Sequence, residues 1–265
     1  MQPLKVFLTG ASSGIGQALA RAYAEQGAVL GIVGRREDAL RAFASSLPHP
    51  EAVRVYAVDV RDAEAMNAAA ADFLAHVGCP DVVVANAGIS VGTVASERDD
   101  LEVFRAVMDT NWYGTLTTFQ PFLEPMRQQP PGVDGWRGTL VGIASVAGVR
   151  GLPGGGAYSA SKSAVIKLLE SLRLEQSHER IRVVTIAPGY IRTPMTAKNP
   201  YRMPFLMDAD VFARKAVQKI SAGTRFAVIP WQMGVVASVL HVLPRWLYDA
   251  LFRRAPRKPR RSRSA

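Results

Sequence analysis

Short apolar runs alternate along this chain with longer stretches in which apolar residues recur every three or four positions. Residues 4–9 (LKVFLT) end at Gly10, and alanine and leucine then recur at helical spacing over residues 15–26, which predicts strand, tight turn, helix. The alternation repeats with strands expected at residues 28–33, 53–58, 81–85, 139–144, 182–187 and 226–229. Helices are expected at 37–47, 63–77, 101–126 and 158–177. A chain that alternates in this way folds as an α/β domain, with a parallel sheet covered by helices on both faces. Residues 128–138 (QQPPGVDGWRG) form a polar, turn-rich loop within it, because the pattern resumes immediately beyond.

The last part of the chain departs from this rhythm. Residues 231–252 are apolar but interrupted by His241, Pro244, Arg245 and Asp249. Pro244 breaks or kinks any helix there, and the uninterrupted apolar run is too short to span a bilayer. Three readings stay open: a helix packed on its own domain or a partner subunit, a lid over a substrate pocket, and an interfacial membrane helix using Trp246, Tyr248 and Phe252.

Composition changes the picture in two places. A hydrophobic share of 48% in 265 residues buries a sizeable core, so one large domain (1–230) is expected, with an apolar helical extension (231–252) and a tail (253–265). The net charge of +10 suggests nucleic acid until its distribution is read. Residues 253–265 hold seven basic side chains and no acid, leaving 25 basic against 22 acidic residues elsewhere. The body is thus nearly neutral; specific nucleic-acid binding is not expected, and the tail reads as disordered, with non-specific attraction to anionic surfaces. The single cysteine, Cys79, and a start without a signal-peptide pattern predict a reducing, cytoplasmic location, peripheral to the membrane if the C-terminal segment docks there. The four histidines have no metal-like spacing, and no metal site is expected.

Candidate chemistry begins at the first turn, Thr9-Gly10-Ala11-Ser12-Ser13-Gly14-Ile15-Gly16. Glycines between a strand and a helix let backbone N–H groups approach a pyrophosphate at the positive helix end. The second strand ends in Val33-Gly34-Arg35-Arg36, with no acid before Glu37. An arginine here pairs with a 2'-phosphate, which favours NADP(H) over NAD(H), with Arg35 ranked above Arg36, a residue that also suits an exposed helix start. Asp59 and Val60 follow the third strand, where the aspartate meets an adenine or caps a helix. Tyr158 and Lys162 are one helical turn apart and project from one face. An ammonium beside a phenol favours the phenolate and forms a candidate acid/base pair.

Taken with Asn86-Ala87-Gly88, Asn111, Ser145, Pro188-Gly189 and Thr193, in that order along the chain, these motifs resemble the classical short-chain dehydrogenase/reductase family over roughly residues 4–230. The resemblance implies a Rossmann-type doubly wound parallel sheet of about seven strands in a three-layer αβα single domain. It implies that Tyr158 exchanges a proton with a carbonyl or alcohol oxygen, Ser145 orients that oxygen, Lys162 tunes the phenol and holds the nicotinamide ribose, and Asn111 positions a relay water. It further implies that Asn86, Ala87 and Gly88 shape the cofactor pocket, that the Ile191 backbone and Thr193 hold the carboxamide, and that the chain forms a homodimer or homotetramer. The activity implied is NADP(H)-dependent interconversion of a carbonyl and a secondary alcohol; the competing reading is a catalytically silent NADP(H)-sensing or membrane-recruited adaptor. Residues 149–156 (VRGLPGGG) and 196–208, with Tyr201, Met203, Phe205, Leu206 and Met207, flank the substrate side and suggest a bulky apolar substrate.

Overall fold

The computed structural model describes residues 3–197, 199, 201–253, 255, 256, 258 and 260. The first half runs β1 (Lys5–Thr9), α1 (Gly14–Ala24), β2 (Val29–Gly34), α2 (Glu37–Ser45), β3 (Val53–Ala57), α3 (Ala63–His76), β4 (Val82–Ala85). It continues through α4 (Leu101–Met108), α5 (Gly114–Gln128), β5 (Gly138–Ile143), α6 (Gly156–Glu175) and β6 (Ile181–Pro188). A short pair, β7 (Ile191–Arg192) and β8 (Met207–Asp208), precedes α7 (Ala209–Ser221), β9 (Phe226–Ile229), α8 (Trp231–Val242) and α9 (Arg245–Phe252). Seven strands form one parallel sheet in the order β3-β2-β1-β4-β5-β6-β9, as the alternation predicts.

Period-two alternation in β1 explains the layers. Val6 and Leu8 face a core built with Leu19, Leu30, Ile32 and Phe212. Phe7 faces the opposite layer with Phe73, Phe122, Leu140 and Leu169. Its ring meets Phe73 edge-on at 5.4 Å and Phe122 at 4.7 Å between centroids. Gly31 lies in register beside it, and a Cβ there would come within 2.7 Å of both the Phe7 and Phe73 rings. The glycine makes room for the aromatic cluster, each ring of which contributes about 1.5–3 kcal/mol through burial.

The helix expected over 101–126 forms in two pieces. Between α4 and α5, residues Asp109–Tyr113 take a wide π-helical turn, and α5 then carries Pro121 and Pro125. The widened turn sits where Asn111 directs its amide into the core, and such insertions concentrate at functional positions. Polar groups near the prolines are satisfied by backbone carbonyls: the Thr117 hydroxyl donates to Val60 O at 2.6 Å and the Thr118 hydroxyl to Gly114 O at 2.6 Å.

The strand order reverses between β1 and β4. Their carboxyl ends diverge there, and connections leaving in opposite directions open a crevice. At the far edge, α8 packs Met233 and Ala237 against Val146, Val149, Tyr190 and Val228. The chain then bends by 119° between α8 and α9, at Leu243 and Pro244.

Candidate active site

The crevice is a cleft of about 360 Å³ above the carboxyl ends of the sheet. It is lined by Gly10, Ser12, Ser13, Gly14, Ile15, Gly16, Arg35, Arg36, Asp59, Val60, Asn86, Ala87, Gly88, Ser145, Tyr158, Lys162, Pro188, Gly189, Ile191 and Thr193. Residues from seven separate parts of the sequence are thereby brought to one surface. Asn111 stands behind this wall, fully buried. The sequence did not single out Val58, Ile89, Thr110, Ile143, Ala144, Pro194 and Met195, which complete the lining together with Gly34 and Thr196. Their signal was only adjacency to a motif.

One end of the cleft is made of backbone. Gly10 and Gly14 have φ of +74° and +61°, a region that favours glycine. A Cβ on Gly16 would lie 2.2 Å from Gly10 O and 2.5 Å from Asn86 Nδ2, so α1 approaches the turn as closely as backbone allows. Ser13 precedes α1 without capping it by its side chain. The N–H groups of the first helical turn are thus directed at the cleft, an arrangement that suits an anion.

Asn86 ties the floor together. Its Nδ2 donates to Thr9 O at 3.0 Å, while Asn86 N and Ala87 N both donate to the Thr9 hydroxyl, at 3.2 and 3.3 Å. These bonds fasten the ends of β1 and β4 across the crevice. At its mouth Arg36 Nη2 donates to Ser12 O at 3.2 Å and to Ser12 Oγ at 3.1 Å, holding its guanidinium over the glycine turn. Arg35 is exposed and lies 3.9 Å from Asp59. Asp59 also binds Arg61 at 2.7 Å, and the Arg61 hydrogen bonds hold its carboxyl below the usual carboxylate range. The cap of α3 is Asp62, which accepts from Ala65 N at 3.0 Å, so Asp59 does not serve as that cap.

The other end holds Ser145, Tyr158 and Lys162. Ser145 ends the segment after β5, where its Oγ accepts from Ala147 N at 3.1 Å. The first turn of α6 carries Tyr158 and the second Lys162, whose Nζ donates to Ile143 O at 2.7 Å. Burial pushes the Tyr158 phenol above its ordinary range, opposed by a hydrogen bond with Ser145. Burial likewise lowers Lys162 to about 8. The expected depression of the phenol by Lys162 is therefore not expressed in this arrangement: desolvation dominates, and the ammonium is directed to a backbone carbonyl.

Lys162 supplies a pH test. Its folded pKa of about 8 lies below its ordinary value of 10.5, so burying the charge costs stability below pH 8. Between these values the unfolded chain binds more protons, and stability rises with pH. Lys162→Met should lose this rise; melting temperatures of both proteins across pH 7 to 10.5 measure it, and parallel curves would refute the assignment.

Asn111 acts as a fastener. Its Oδ1 accepts from Ile89 N at 2.8 Å, and its Nδ2 donates to Ile89 O at 3.0 Å and Ser161 Oγ at 2.9 Å. It thereby joins the segment after β4 to α6, beside Gly88, where a Cβ would stand 3.1 Å from Asn111 Oδ1 and 3.6 Å from Lys162 Nζ.

The substrate side is framed by segments the sequence left open. Tyr201 faces Tyr190 edge-on at 6.4 Å, and its phenol is raised by burial first and then by the nearby Tyr190 and Tyr158 phenols. Phe205, by contrast, stands 51% exposed. Lys198 and Pro200 of that segment lie outside the described residues.

The tail also reaches this side. Lys258 Nζ donates to Ser90 Oγ at 2.8 Å, and Arg260 pairs alongside Gly92 and grips Asp100 at 3.0 Å and Glu97 at 3.5 Å. The expected disordered tail otherwise falls largely on residues 254, 257, 259 and 261–265, outside those described. Acidic residues at 97 and 100 facing a basic C-terminus were the available signal. Arg260→Glu should repel both carboxylates and speed amide exchange over residues 89–94 without affecting residues 5–16; unchanged exchange would refute the contact.

The model of the short chain dehydrogenase family matches residues 5–203. The chain is 37% identical over 248 residues to an uncharacterized oxidoreductase of Myxococcus xanthus, covering 93% of this chain and 95% of that protein. It is 37% identical over 194 residues to an 11-beta-hydroxysteroid dehydrogenase A of Arachis hypogaea, covering 72% of this chain and 53% of that one. Among solved structures, an alcohol dehydrogenase of the archaeon Thermococcus sibiricus complexed with 5-hydroxy-NADP superposes with a TM-score of 0.74 at 27% identity, covering 86% of this chain and 96% of its own. A short-chain dehydrogenase of Streptomyces avermitilis gives a TM-score of 0.76 at 26% identity, covering 95% and 98%. With this match spanning most of the sheet, and the glycine turn, Ser145, Tyr158 and Lys162 on one cleft, the chain belongs to the classical short-chain dehydrogenase/reductase family and is an oxidoreductase of that type.

Proposed function

We propose that this protein is an NADP(H)-dependent oxidoreductase interconverting a carbonyl and a secondary alcohol, with Tyr158 as the acid/base. The observation that carries the reading is the convergence of Ser145, Tyr158 and Lys162 at one end of a cleft whose other end is the glycine turn. The residues fit a dinucleotide. The cradle at Gly10 and Gly16 has no room for a Cβ, and the helix end above it suits a pyrophosphate. β2 ends in glycine, and Arg35 and Arg36 follow on the cleft wall, a pair suited to a 2'-phosphate.

A nicotinamide cofactor, when bound, would supply or accept the hydride. Ser145 orients the substrate oxygen by hydrogen bonding. Tyr158, held protonated at neutral pH by burial, donates its proton to that oxygen in the reductive direction. Lys162 places a positive charge and a donor at the floor of the site, and Asn111 holds the Gly88 and Ile89 wall against α6. The Ile191 backbone and Thr193 line the position suited to the carboxamide. Homodimeric or homotetrameric assembly through α5 and α6 completes the reading; sedimentation equilibrium tests it.

Following NADPH absorbance against a panel of ketones and aldehydes tests the activity. Consumption that requires a carbonyl is expected. Tight NADPH binding without turnover on any carbonyl would instead mark a nucleotide sensor. Arg35→Asp should weaken NADPH binding about 10- to 100-fold, the worth of a hydrogen bond to a charged group, and NADH binding much less. Equal losses for both nucleotides would refute the 2'-phosphate assignment.

A further inference from the structure

On α8, Trp231, Val235, Val239 and Val242 follow at spacings that place them on one face. They are 72, 54, 53 and 76% exposed, while Met233 and Ala237 on the other face are buried. Trp246 and Leu251 add exposed apolar side chains on α9. Arg245 and Arg253 stand exposed at the two ends of α9, and Asp249 is the one acid in residues 231–253. The face is therefore apolar, tryptophan-bearing and edged with positive charge.

These features select the occupant. A two-fold contact between copies would set the arginine-edged face against its own like charges. An anionic bilayer offers apolar depth for the valines, a headgroup layer for the indoles and opposite charge for the guanidinium groups. The 119° bend excludes a straight span, and α8 by itself is only about 18 Å long against a hydrocarbon core of about 30 Å. An orientation in the interface plane remains.

The same helices grip the loop beside Tyr158. Tyr248 Oη donates to Gly151 O at 2.5 Å, Arg150 Nε donates to Leu240 O at 2.6 Å, and the Arg150 guanidinium lies over the Tyr248 ring at 5.1 Å. We propose that the outer face of α8 and α9 docks on an anionic lipid surface and thereby sets the loop at residues 149–156 at the membrane boundary. The lipid docking stands on the surface itself; the consequence, access for an apolar, membrane-dissolved carbonyl or alcohol, rests on the function proposed above.

Co-sedimentation with phosphatidylcholine vesicles, with and without about 30 mol% phosphatidylglycerol, tests the docking. The full chain should bind the anionic vesicles at least about tenfold more tightly than the neutral ones. Val235→Asp/Val239→Asp, on the exposed face, should abolish vesicle binding and leave NADPH binding intact. Arg245→Glu/Arg253→Glu should remove the preference for anionic lipid. Hydrogen exchange on vesicle addition should slow at residues 231–252 and at 149–156. Absence of anionic-vesicle binding, or binding unaffected by the paired aspartates, overturns the proposal. So does an aspartate pair that only dissociates an oligomer, since the face then belongs to a second copy. Protection confined to 231–252 overturns the placement of the loop. NADPH titration is independent of all these readouts, so a failure of the cofactor reading shows there and not in the vesicle data.

Discussion

Tyr158→Phe should reduce NADPH-dependent carbonyl turnover by about 10²- to 10⁴-fold, the range that a positioned proton donor contributes. The substitution keeps the ring, and with it the packing of the first turn of α6, and removes only the oxygen that Ser145 hydrogen bonds. Lys162 keeps its bond to Ile143 O, and the glycine turn at the far end of the cleft is untouched, so NADPH affinity should be unchanged. The loss should appear in kcat. Direction of reaction adds a second signature. Because burial holds the phenol above its ordinary range, reduction has its proton donor ready at neutral pH, whereas alcohol oxidation needs the phenolate and should rise with pH. A Tyr158→Phe enzyme that retained more than about a tenth of the wild-type rate would refute the assignment, since general acid catalysis supplies more than that.

Gly16→Ala should cost about 1–3 kcal/mol of stability and abolish measurable dinucleotide binding. The new methyl group would lie 2.2 Å from Gly10 O and 2.5 Å from Asn86 Nδ2. The first neighbour is backbone, and the second is pinned by its bond to Thr9 O at 3.0 Å. Neither can yield without moving α1 away from β1, which opens the turn that would receive the pyrophosphate. A chain of this size should lose roughly 2–4 °C in Tm per kcal/mol. Gly27→Ala is the control: its φ is also positive, at +76°, but a Cβ there has nothing within 4 Å, so it should show backbone strain with cofactor binding intact. Normal NADPH binding by Gly16→Ala would remove the close-approach argument.

Much of the site was legible because its chemistry is local in sequence. Gly10, Gly14 and Gly16 announce a turn by composition, Tyr158 and Lys162 share a helix face by spacing, and Gly34-Arg35-Arg36 shows the missing acid directly. What escaped was long-range. Asn111 was placed in an uninterrupted helix, yet it works through a π-helical turn and bonds residues 22 and 50 positions away. The bond from Arg36 to Ser12 at the glycine turn joins residues 24 positions apart. The balance between desolvation and the Lys162 charge at Tyr158 could not be read from a four-residue spacing, because it depends on how much water the surrounding loops exclude.

The order of apolar runs by itself determined the alternation of strand and helix, and hence a parallel sheet, since the helix between successive strands carries the chain back so that each strand starts from the same end. The motifs between these runs marked the residues that line the cleft. Only the tertiary structure decided how these parts meet. The switch between β1 and β4 assembles the cleft, burial sets the proton affinities of Tyr158 and Lys162, and the bend at Pro244 turns an apolar stretch into an arginine-edged face. Pattern is a property of neighbours along the chain, whereas burial and electrostatics sum over neighbours in space.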